Sequence, residues 1–343
     1  MLKIKNSQKK SFYKKIFVKL CRLLGYEIID QSNFSIPTSG RDINESISIP
    51  GKRSITLPLG KVEITRPVKS LDIILRTCMS VNMLSQSKKR MFEKNKEEYT
   101  KRTLVSIAKS VNHAKNIFKD TKFKIYIIDH NSEKNQIDTM RDVLQKSNIN
   151  FEILNLKLDK FSSQIKKINE ENKEVTLNQK SNMSNIHQSF LLSKEKSEDL
   201  IYFVEDDYIH ETISLSEILY TYERIASLIK QELIVCPADY PYLYAKSENT
   251  KIFLGENRHW RQINQTLCTF LTSKKIVEKY WNELISMCEF EHYPFEKPLH
   301  NIYKKELCVS PIPSLAVHFT NINSIYGLSP NVNWKKLWNE NES

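Results

Sequence analysis

The apolar positions of this chain fall into three textures. Residues 11–25, SFYKKIFVKLCRLLG, have a helical period. At about 100° per residue, Phe12, Ile16, Phe17, Leu20, Leu23 and Leu24 share one face, and Lys15, Lys19 and Arg22 share another. Gly25 supplies a stop. Such a helix can pack on the body of the protein with its lysines in water and can lie on an anionic membrane surface, and the two are not mutually exclusive. Residues 31–70 carry turn chemistry instead, with Pro37, Pro50, Pro58 and Pro67 and three glycines, and predict an irregular leader with short extended pieces. From Leu71 strands and helices alternate. LDIILRTC (71–78), FKIYIID (123–129), FEILNL (151–156) and LIYFV (200–204) read as strands. Helical spacing marks a segment within 88–118, QIDTMRDVLQKS, and a segment near 182–196.

That alternation predicts an α/β fold, a mainly parallel sheet with helices on both faces. Further on, LIVCPADYPYLY (233–244) gives a strand and a Pro/Tyr-rich loop, and QTLCTFLTS (265–273) a strand entering a helix at 274–288. The expected organisation is a basic helix in 1–30, a leader in 31–70, one main domain over 71–325 and a tail over 326–343.

Charge narrows the partners. The chain carries 52 Lys and Arg against 40 Asp and Glu, a net +12, which favours anionic partners: nucleic acid, anionic lipid or phosphorylated small molecules. Residues 1–30 hold eight of the basic residues against Glu27 and Asp30. The six cysteines are scattered, without a C-x-x-C pair or zinc spacing, as free thiols in a reducing cytosol would be. No apolar run reaches the ~18 residues that a membrane span requires. None of the six glycines forms a G-x-G-x-x-G or P-loop cradle, so phosphate must be neutralised another way.

The strand LIYFV runs directly into Glu205, Asp206 and Asp207. Three adjacent carboxylates repel one another and call for positive charge among them. In parallel sheets ligands gather at the C-terminal ends of strands, where Asp129 and this triplet both lie. A hard divalent cation, Mn²⁺ or Mg²⁺, takes oxygen ligands and bridges phosphate oxygens. Glu205 and Asp207 flank one residue and are the carboxylate ligands expected, with His318 in LAVHF as the imidazole ligand.

IYIIDHNSEKN (125–135) and SNMSNIHQSFLLSKEKSEDLIYFVEDDY (181–208) resemble the matching segments of GT-A-type, family-2-like glycosyltransferases. The resemblance spans about residues 71–320. It implies a GT-A, Rossmann-like fold with an N-terminal helical and irregular extension, and transfer of a sugar from a nucleotide-sugar donor to a glycan or lipid-linked acceptor in surface polysaccharide synthesis. In that resemblance Asp129, with Asn131 or Ser132 beside it, binds the base or ribose. Asn185 matches the family's asparagine, Asp206 faces the ribose, and Asp207 is the leading metal ligand. The first-strand loop RTCMSVN departs from the family's pattern, and Arg76 and Thr77 are its candidate nucleotide contacts. Ser184 stands where the family has arginine.

An inverting transfer requires a carboxylate base, whereas a retaining one does not, and the sequence leaves both open. Glu289, Glu291, Glu296 and Asp239 are the candidates, with Glu291 and Asp239 preferred. The aromatic stretches Asp239–Tyr244 and His259–Gln262 are suited to stacking on sugar faces, and Arg258 and Arg261 to gripping a phosphate. The expected setting is cytoplasmic, peripheral to the inner face of the membrane, with no nucleic-acid partner. Two other classes share some of these features: a metal-assisted nucleotidyltransferase or nuclease, and a non-enzymatic membrane- or nucleic-acid-binding protein. The first lacks a Gly-rich or Lys-bearing first loop here. The second leaves the carboxylate triplet, which repels phosphate, without a purpose.

Overall fold

A computed structural model of the protein describes residues 12–26, 54–57, 60–79, 91–245, 250–320 and 324–342. The chain divides into two units, one of Met1–Ile47 with Thr56–Lys61, the other of Ser48–Ile55 with Val62–Ser343. In the smaller unit α1 spans Phe12–Leu23, where the periodicity places a helix. Two short strands, β1 (Ser54–Leu57) and β2 (Gly60–Glu63), are the extended pieces seen of the leader. Residues 1–11 and 27–53 lie outside the described residues.

The large unit is a mixed nine-stranded sheet flanked by helices. Its parallel part has the order β5 (Phe151–Asn155), β4 (Lys122–Asp129), β3 (Ser70–Thr77), β6 (Leu200–Glu205). All eight residues of β3 are buried, because helices cover both faces of a central parallel strand. Continuous apolar runs, not alternation, are the consequence. Beyond β6 the order continues β11 (Phe270–Ser273), β8 (Ile234–Val235), β12 (Cys308–Ile312), β10 (His259–Gln262), β9 (Ile252–Leu254). Here β11 runs antiparallel to both neighbours, and β8 and β12 are parallel. A second, two-stranded sheet pairs β7 (Tyr208–His210) with β13 (Ala316–His318).

The helices are α2 (Lys96–Ile117), α3 (Lys134–Lys146), α4 (Leu177–Lys196), α5 (Ser214–Ile229), α6 (Lys274–Lys279), α7 (Trp281–Glu289), α8 (Lys297–Tyr303) and α9 (Trp334–Glu340). Capping sets several starts: Asn95 accepts the Glu98 amide at α2, and Thr176 with Gln179 forms a capping box at α4. That box starts α4 ahead of the apolar pattern, which begins near residue 182. In α5 every residue from Ser214 to Ser227 is buried, the polar face opposite the stripe of Leu215, Ile218, Leu219, Tyr222 and Ile225 included. Its Glu217 carboxylate accepts the amides of Glu256 and Asn257 and the indole N–H of Trp260. A Cβ on Gly255 would stand 2.1 Å from Glu217 Oε1, so glycine is required at that approach.

Residues 326–343, expected as a tail, contain α9, which closes an aromatic cluster. Trp338 stacks on Phe92 at 4.3 Å and meets Tyr99 and Phe319 edge-on or tilted. The Arg102 guanidinium lies 4.4 Å over the Trp338 ring and donates to its carbonyl.

Candidate active site

The registers of β3, β4 and β6 align their C-terminal ends: Arg76 sits beside Glu205, and Thr77 beside Asp129. After Glu205 the chain turns through Asp206 and Asp207 into β7, whose partner β13 ends at His318. The sheets thereby deliver the acidic triplet and the late histidine to one place.

Each carboxylate of the triplet has a basic side chain beside it. Glu205 Oε1 lies 3.2 Å from Arg76 Nη2, and its Oε2 accepts from Thr269 at 3.2 Å. Asp206 Oδ2 lies 3.3 Å from Lys96 Nζ and accepts from Thr100 at 3.1 Å and from the Cys78 amide at 3.4 Å. Asp207 Oδ2 lies 3.3 Å from His318 Nε2. Burial opposes the Lys96 charge, yet Asp206, Cys78 and Asp207 outweigh it and the pKa rises. Burial likewise opposes a charged His318, and Asp207 and Glu205 turn its shift upward.

His318 is oriented from its other side. Its Nδ1–H donates to the Tyr326 carbonyl at 2.8 Å, and its ring stacks on Tyr208 at 4.6 Å and 3°. Tyr208 in turn shares a 2.7 Å hydrogen bond with the Tyr240 hydroxyl. Nε2 is therefore held facing Asp207, the arrangement by which proteins fix an imidazole ligand.

Asp129 anchors the turn after β4. It accepts from the hydroxyls of Thr77 (2.7 Å) and Ser132 (2.6 Å) and from the Ser132 amide (3.0 Å). Asn131 occupies the left-handed region there, φ 61°, which asparagine tolerates. His130 Nδ1 and the Ser181 hydroxyl share a 2.7 Å hydrogen bond. Arg76 Nη1 donates to Asn182 at 2.9 Å, tying α4 to the same rim.

Several expectations are redrawn. Among the described residues no group of three or more His, Cys, Asp or Glu converges as a metal cluster. Asp207 and His318 come together, while Glu205 turns to Arg76 and Thr269. Asn185 Nδ2 donates to the Ile128 carbonyl at 2.9 Å, so its amide fastens α4 to β4. Asp239 is fully buried, bonded by the Tyr244 hydroxyl at 2.5 Å and by Arg261, and so has no path to an acceptor. Arg261, expected as a phosphate grip, is committed to that pair and lies 4.5 Å over the Tyr244 ring. Arg258 pairs with Glu211 at 2.7 Å. Glu291 accepts the side-chain amides of Asn169 (2.9 Å) and Gln179.

Glu296, at the start of α8, is a half-buried residue whose carboxyl lies within electrostatic reach of Glu205. Burial pushes its pKa up to about 7, and the charge of Glu205 adds to the push while Arg76 and His318 oppose it. Sequence reasoning misses Lys96. Its only signal is its place at the first position of a helix capped by Asn95, which does not tell where its ammonium reaches.

No family model matches the chain, and no curated protein does. Solved structures similar to it include a UDP-glucose pyrophosphorylase complexed with UDP-glucose, 8% identical, covering 80% of this chain and 98% of that one at a TM-score of 0.39. Mouse xyloside xylosyltransferase 1 is 11% identical, with 70% and 84% covered and a TM-score of 0.41. An active-site mutant of LgtC is 10% identical, with 79% and 94% covered and a TM-score of 0.37.

Proposed function

We propose that this protein is a glycosyltransferase that moves a sugar from a nucleotide-sugar donor to a glycan or lipid-linked acceptor, with Mn²⁺ or Mg²⁺ as its cofactor. The observation that carries the reading is the Asp207–His318 apposition of 3.3 Å, fixed from behind by Tyr326 and Tyr208, where the chain leaves β6 for the antiparallel β7–β13 pair. The pair fits a hard divalent cation, being one carboxylate oxygen and one imidazole nitrogen whose ring partner is already bonded to a carbonyl. Two protein ligands leave room for diphosphate oxygens. A bound cation would neutralise charge developing on the leaving diphosphate.

The chain's own residues do the rest. Asp129 and Ser132 hold the turn that receives the nucleoside side of the donor. Arg76 and Lys96 keep Glu205 and Asp206 neutralised, so the rim does not repel the incoming anion. Glu296, rather than Glu291 or Asp239, takes the proton of the acceptor hydroxyl as its oxygen bonds to the anomeric carbon and the carbon–oxygen bond to the diphosphate breaks. A carboxylate with a pKa of about 7 is suited to that role near neutral pH. The setting that suits this reading is cytoplasmic, at the inner face of a membrane, in surface polysaccharide synthesis.

Thermal shift with UDP, GDP or CDP, each with and without Mn²⁺, tests the reading. Metal-dependent stabilisation by one nucleotide is expected, and Asp207→Ala abolishes it. No stabilisation by any of the three would overturn the proposal. Product analysis separates the nearest rival, since glycosyl transfer releases a nucleoside diphosphate and nucleotidyl transfer releases pyrophosphate.

A further inference from the structure

Among the described residues, α1 carries large apolar side chains that are exposed. Phe12, Ile16, Phe17, Leu20 and Leu23, with Leu24 just after the helix, are exposed, from 50% at Ile16 to 77% at Leu23. They recur at helical spacing and so form one stripe. A helix of 12 residues is marginal in water alone. The stripe thus combines poor intrinsic stability with unsatisfied apolar surface, and a cover would remove both defects.

The charges identify the cover. Lys19 and Arg22 are exposed on the same helix, and α1 contains no Asp or Glu. Residues 1–30 bring eight basic groups against two acidic ones. A second copy of the same stretch would bring like charge to like charge, whereas an anionic bilayer offers apolar acyl chains beneath and phosphate above, matching both faces. No described helix is long and apolar enough to cross a membrane. We propose that α1 is an interfacial anchor that lies in the headgroup region of an anionic lipid bilayer, with the Phe12–Leu24 stripe in the acyl boundary and the basic groups against lipid phosphates. This deepens the membrane-side part of the proposed function and rests on residues separate from the transfer site.

The test is sedimentation of the full chain with vesicles of phosphatidylcholine alone or of phosphatidylcholine mixed with phosphatidylglycerol. Binding is expected only to the mixed vesicles and is expected to weaken with salt. Phe17→Glu with Leu20→Glu should abolish it. Lys19→Glu with Arg22→Glu should weaken it by roughly fivefold or more per residue, as charges near an anionic surface contribute about 1 kcal/mol each. Nucleotide-dependent thermal shift, unchanged in both variants, shows that they fold and reports on the transfer site independently. Equal binding to neutral vesicles overturns the anionic selectivity. No binding to either, or self-association that Phe17→Glu removes, overturns the anchor.

Discussion

Two buried acidic regions of this protein are built on opposite plans. Glu217 sits inside α5, fully surrounded, and its carboxylate is saturated by backbone amides, an indole and an asparagine side chain, all from its own chain. The Glu205–Asp207 triplet stands at a strand end, each carboxylate facing a basic side chain, with Glu205 and Asp207 still partly open to solvent. The first arrangement has no capacity left for a ligand and serves to lock residues 255–260 onto α5. The second cancels repulsion while keeping the acids at the edge where ligands arrive. Burial alone does not mark a functional acid. What matters is the kind of partner: backbone amides that lock a loop, or side chains that can yield to a cation.

The sharpest stability test of this contrast is Glu217→Ala, which strands two amides and the Trp260 indole without acceptors. A loss of about 3–5 kcal/mol is expected in urea unfolding. A loss below about 1 kcal/mol would show that the loop finds other partners. A smaller effect of opposite sign is expected at Glu223. Burial raises its pKa to about 7 from 4.5, so the folded state holds the proton more tightly than the unfolded chain. Its contribution is complete below pH 4.5 and is lost as pH rises through 7, a change of up to about 3 kcal/mol. Glu223→Gln keeps an acceptor for the Val68 amide, now 2.7 Å away, and removes the ionisation. The variant should gain stability over wild type at pH 8 and lose that advantage at pH 4.5. An advantage independent of pH would contradict the assignment.

Activity separates the candidate bases. Glu296→Gln should lower kcat about 100-fold or more, in the range of general-base loss. Glu291→Gln keeps the Asn169 and Gln179 contacts within reach of an amide and should cost less than about threefold, the change expected when no proton transfer is lost. Equal effects would remove the distinction between a carboxylate beside the triplet and one tied to α4.

Much of the parallel half is legible in the sequence. Continuous apolar runs at 71–78, 123–129 and 200–204 announce buried strands, and the acids at the ends of the last two mark the ligand edge. The rest depends on contacts that no local pattern encodes. β11 lies between β6 and β8, although β8 precedes it by a long excursion through β9 and β10, and only chain return can place it there. α5 carries an apolar stripe through Leu215, Ile218, Leu219, Tyr222 and Ile225, but the burial of its polar face, Glu217 and Arg224 included, is set by the elements packed on it. Glu296 and Glu291 stand close together in one loop, and the turn into α8 decides which of them reaches Glu205. Lys96 finds Asp206 only because α2 docks its first turn over the end of β6.

The central claim is that Asp207 and His318 hold a divalent cation together with a nucleoside diphosphate. It is tested most directly by titrating Mn²⁺ into the protein with saturating UDP, GDP or CDP and following the free-ion signal by electron paramagnetic resonance. One nucleotide should produce a single tight Mn²⁺ site, lost in Asp207→Ala and weakened in His318→Ala, with Glu291→Gln unchanged. A tight site that survives Asp207→Ala would contradict the account.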